Sequence, residues 1–93
     1  MTEGPALALP GADLVASGIA DLAEGLVTPA ALVVSIGAPR LRQLGYDVPA
    51  PIDDAEHALY ALLARDGPDS AHSRYNALIR QLVSFERAAA CAS

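Results

Sequence analysis

Lysine and tryptophan are absent from this chain, and cysteine, methionine and phenylalanine occur once each. The single thiol, Cys91 in the tail "AAACAS", has no partner for an internal disulfide, which fits a reducing, cytoplasmic setting. All six basic residues are Arg, and eleven acids leave a net charge of −5. Affinity for a phosphate backbone comes from Lys and Arg displacing counterions, so that balance disfavours nucleic acid. The longest apolar run, Leu26 to Ala38, is interrupted by Thr28, Pro29 and Ser35. It is too short for a bilayer, which takes roughly 20 apolar residues, and no membrane is expected. The start, "MTEGPALALPG", has neither a basic region nor a cleavage pattern, so it does not read as a signal peptide. His57, His72 and Cys91 show no zinc-ligand spacing, and neither a metal nor another cofactor is expected.

What is abundant is alanine, with 20 residues, and Leu, Ile, Val and Phe together supply 24 of 93. That apolar share is above the roughly 20% below which chains tend to remain disordered. Alanine is also the strongest intrinsic helix former. Alanine, glycine, proline and exclusive arginine together read as the coding bias of a GC-rich bacterial host. At this length one domain is expected, and a domain so small buries only about 60 to 65% of its unfolded surface, which leaves little room for a large substrate cleft.

Helical periodicity recurs along the chain. In "GADLVASGIADLAEGL", Val15, Ile19, Leu22 and Leu26 fall on one stripe, with Asp13 placed to cap the start and Gly25 to end it. Gly18 borders the stripe, where a missing Cβ admits a close helix. Thr28 before Pro29 is an N-cap followed by proline at the first helical position. Gly37 and Pro39 then read as the end of that helix, because proline disfavours helical geometry at Ala38. A short helix from Pro39 to Leu44, closed by Gly45, is expected next. Asp53 three residues before Glu56 is an acidic variant of the capping box, and it opens a helix with Leu59, Leu62 and Leu63 inward. After Gly67 and Pro68 a last helix carries a seam of Ala71, Tyr75, Leu78, Leu82, Phe85 and Ala89, widened by Ile79 and Val83. The last two helices should form an αα-hairpin. Asp47 to Asp69 carries a charge of −5 and Ser70 to Ser93 carries +2, so these halves attract one another.

The expected architecture is therefore all-α: a small compact bundle of four main helices plus one short helix, with the first pair packed across the C-terminal αα-hairpin. Residues 1–11 are expected to be a flexible N-terminal arm, 12–90 a single helical domain, and 91–93 a frayed tail.

The stretch "AALVVSIGAPRLRQLGY" admits three readings. As strand and glycine turn it suggests nucleotide binding, but Pro39 lacks an amide where a phosphate needs one. As helix-turn-helix it places Arg40 and Arg42 toward DNA, but the recognition helix is short, opens on proline and carries Gln43 at a core position. As a proline-broken core helix it leaves both arginines on the surface.

The densest polar cluster is His72, Arg74, Tyr75 and Asn76, with Arg80 beyond it, and it suggests an anion or substrate site. Around a helix these side chains point several ways. Glu86 falls inside the apolar arc, where an unpaired carboxylate is costly, so either an ion pair with Arg40, Arg42 or Arg65 or a helix end frayed enough to keep it wet is expected. Three functional classes follow. The first is a non-enzymatic, monomeric interaction or regulatory protein that binds another protein, the second a DNA-binding protein using Arg40 and Arg42, and the third a small enzyme using His72, Tyr75 and Glu86. A surface map separates them: an apolar patch of roughly several hundred Å², a basic stripe or a polar pocket.

Overall fold

A computed structural model describes residues 9–92. Residues 1–8, most of the expected arm, and Ser93 of the expected tail lie outside the described residues. Four helices follow in order, α1 (Ala12–Ala23), α2 (Pro29–Gln43), α3 (Ala55–Asp66) and α4 (Ala71–Ala92), with no strand among the described residues. The described part is thus an all-helical globule.

Helix α2 is its centre. Ala31, Leu32, Val33, Val34, Ser35, Gly37, Ala38 and Leu41 are all buried, and α1, α3 and α4 each pack against it. Four consecutive apolar residues cannot lie on one face of a helix with 3.6 residues per turn, so α2 needs neighbours on several sides. Around it stand Val15 from α1, Leu59 and Leu63 from α3, and Leu82 and Phe85 from α4. The α4 seam faces inward as its spacing predicts: Ala71, Leu82, Phe85 and Ala89 are buried, while Tyr75 and Leu78 are half-buried.

Termini and turns account for the path. The Thr28 hydroxyl accepts from the Ala31 amide at 3.1 Å and donates to Asp21 Oδ2 at 2.6 Å, so one side chain caps α2 and ties it to the end of α1. Helices α1 and α2 close alike: Leu26 N–H donates to the Asp21 carbonyl at 2.9 Å, and Tyr46 N–H to that of Leu41 at 3.0 Å. In both, the residue before is a glycine in the left-handed region, Gly25 and Gly45, which makes each a Schellman ending. Only Gly67 to Ser70 separate α3 from α4, as expected for a hairpin.

Three local expectations are corrected. The separate short helix does not form, because α2 passes through Pro39 and ends at Gln43. Proline has no N–H for the Ser35 carbonyl, but Ala38 and Leu41, both fully buried, hold the backbone helical across the junction. Asp13 does not cap α1, which starts on Gly11 at φ 78° with no side-chain cap; Asp13 instead lies in the first turn. Nor does Asp53 form a capping box. Asp54 is the cap, in a left-handed conformation at φ 53° with no side-chain cap bond, so the backbone itself makes the turn.

Candidate functional site

The residues singled out in the sequence are dispersed. Arg42 lies at the end of α2, and its guanidinium donates to the carbonyls of Val48 at 2.9 Å and Pro49 at 3.0 Å. It thereby fastens the loop between α2 and α3. Arg40 donates to Gln43 Oε1 at 3.3 Å on the exposed side of the helix. Because α2 is continuous, the turn that both the nucleotide and the helix-turn-helix readings require at Gly37 is not formed.

The polar cluster of α4 divides among separate tasks. Arg74 forms an ion pair with Asp66 at 2.8 Å, joining α4 to the end of α3 and agreeing with the charge asymmetry of the two segments. Tyr75 stacks at a tilt on Tyr60, with ring centroids 5.9 Å apart, and burial followed by the nearby Glu56 charge raises its pKa. His72 and Asn76 contact each other at 3.2 Å, one turn apart, and Arg80 is exposed further along.

Glu86 is eleven residues beyond Tyr75, roughly 16 Å along the axis at 1.5 Å per residue. It reaches α2, not the His72 region: its Oε2 would lie 3.1 Å from a Cβ added at Gly37. The expected ion pair is not made. Among the described residues no arginine lies within salt-bridge distance of Glu86, and burial raises its pKa against the opposing field of Arg40. Desolvation outweighs attraction there.

A surface feature that no single sequence pattern marks lies across the α1–α2 loop and α3. Two adjoining depressions, of about 280 and 380 Å³, share Val27 and Leu62 in their walls. Thr28, Pro29 and Leu63 complete the smaller, which ends at the Asp66–Arg74 pair. Leu32, Ala58 and Ala61 complete the larger, with Arg65 at its edge. Val27 stands 63% exposed in the wall of both, so a large apolar side chain faces solvent at the rim of the trough. Leu62, expected inward with Leu59 and Leu63, is half-buried and forms the divide. A third depression, about 370 Å³, lies between α2 and the start of α3, with Ile36 and Ile52 in its wall and Asp53, Asp54 and Glu56 around it.

Neither a family model, nor a curated protein, nor a solved structure matches the chain. Among the described residues no helix is long and apolar enough to cross a membrane.

Proposed function

We propose that this chain is a non-enzymatic helical interaction module that takes up a segment of another protein in the trough divided by Leu62. The observation carrying this reading is the apolar rim at Val27, 63% exposed beside two depressions with largely apolar walls. Exposed apolar side chains scattered singly need no explanation, but a concave patch joining a loop to a helix face is the form of a protein-binding groove. DNA binding through Arg40 and Arg42 gains no comparable support, since Arg42 is engaged with the loop. The anion or enzyme reading gains none either, since Glu86 is turned to α2 and Arg74 to Asp66.

Site-specific photo-crosslinking tests the proposal. A crosslinker replacing Ala61, at the trough, should capture a protein in the native host that one replacing Ser17, exposed on α1, does not. Val27→Asp should remove the adduct. Equal capture from both positions, or an adduct indifferent to Val27→Asp, would place the binding face elsewhere.

A further inference from the structure

Resting on the docking reading just given, we infer that the segment received by the trough is an amphipathic α-helix whose apolar anchors straddle Leu62 and whose carboxylate meets Arg65.

The helical form follows from the walls. Val27, Leu32, Ala58, Ala61, Leu62 and Leu63 offer side-chain carbon and few polar partners. No sheet edge exists among the described residues to hydrogen-bond an extended peptide. A strand laid there would leave amides and carbonyls unsatisfied, whereas a helix satisfies its own. The two depressions meet at Val27 and Leu62, so a ligand filling both must send one side chain to each side of that divide. Residues at i and i+4 lie on one face of a helix, about 6 Å apart along its axis, so a single helix presents two anchors side by side.

The carboxylate follows from the charges at the rim. Two arginines border the trough, and Arg74 is already held by Asp66 at 2.8 Å. Arg65, exposed at the edge of the larger depression, takes part in no hydrogen bond or ion pair among the described residues. The uncommitted charge at this apolar surface is therefore a cation within an otherwise acidic protein. A guanidinium on a flexible stem suits an acid flanking an apolar anchor, and it disfavours a basic segment at the same place.

Two alanine-based helical peptides test this, each with two leucines four residues apart, one flanked by glutamates and its twin by lysines. Each is titrated into ¹⁵N-labelled protein. The glutamate peptide should shift the amides of Val27, Ala58, Ala61 and Leu62 and bind about two- to fivefold more tightly than the lysine twin, the range of an exposed ion pair. Arg65→Glu, on the surface, should reverse the order. Equal affinity of the twins for wild type and variant, with the trough amides still shifting, overturns the acidic partner and leaves the docking face standing. No shift at the trough with either peptide overturns both. Sedimentation supplies the remaining arm: a concentration-dependent dimer lost in Val27→Asp would assign the trough to a second copy of this chain and overturn the inference.

Discussion

The Ser35 hydroxyl accepts a hydrogen bond from the Ile52 amide at 3.0 Å while donating to the Ala31 carbonyl at 2.9 Å. Ser35 is the one buried polar side chain among the described residues, and it fastens the loop before α3 to the middle of α2. Ser35→Ala deprives the partly buried Ile52 amide of its acceptor. Leaving such a donor unsatisfied should destabilise the protein by about 1 to 3 kcal/mol. Chemical denaturation gives the magnitude, and selectively faster amide exchange at Ile52 identifies the cause.

Gly18 and Gly37 should respond unequally to alanine. A Cβ at Gly18 would collide with the Ala30 carbonyl oxygen and Val34 Cγ2, and the first of these is backbone that cannot turn aside. At Gly37 the nearest atoms are the Leu82 methyl carbons, at 2.9 and 3.0 Å, at the end of a side chain that can rotate. Gly18→Ala should cost about 1 to 3 kcal/mol as overpacking, despite the better helix propensity of alanine. Gly37→Ala should cost less, and thermal melts of the two variants decide the order. The opposite order would mean that α1 yields more easily than the Leu82 side chain.

Along the α4 seam, Leu82 is 3% exposed and Leu78 is half-buried. Leu82→Ala should therefore cost about 2 to 5 kcal/mol and Leu78→Ala less. Both losses should appear as lower melting temperatures in dilute solution. Unchanged melting together with lost self-association would mean that the seam is an external face.

The sign of the Glu86 effect is opposite to that of a carboxylate in an ion pair. Its raised pKa means that the folded state holds the proton more tightly than the unfolded state. The stability linked to that proton is complete below the unfolded carboxylate range and is lost as pH rises through the folded value. Glu86→Gln, which keeps the shape without the charge, should match wild type in acid and exceed it at neutral pH. Paired denaturation curves across that interval show this as a gap that opens with pH. A variant less stable at neutral pH would establish that Arg40 pairs with Glu86 after all.

The helices were legible in the sequence where signals were local and repeated. Thr28 with Pro29 marked the start of α2, Gly25 and Gly45 marked two endings, and the α4 seam persisted long enough to fix its inward face. Pro39 misled because a local rule competes with burial, and the packing of Ala38 and Leu41 comes from segments distant in sequence. Asp53 and Asp54 are equally plausible caps by residue type, so the backbone path from Ile52 decides between them. Periodicity placed Glu86 within the apolar arc correctly, but whether an arginine closes on it depends on helix crossing. The trough was hidden for a related reason. Val27 comes from a loop, Leu32 from α2 and Leu62 from α3, and no spacing within one segment joins them.

Helix α2, enclosed by its three neighbours, has a wider consequence. A helix with one wet face is oriented about its own axis by water, but α2 presents apolar residues in too many directions for solvent to choose its rotation. Shape makes that choice instead. The Ala30 carbonyl and Val34 occupy the space left at Gly18, Leu82 enters the gap at Gly37, and Ser35 meets Ile52. These are three differently sized keys at three heights along α2, and turning the helix by one position would misfit all of them together.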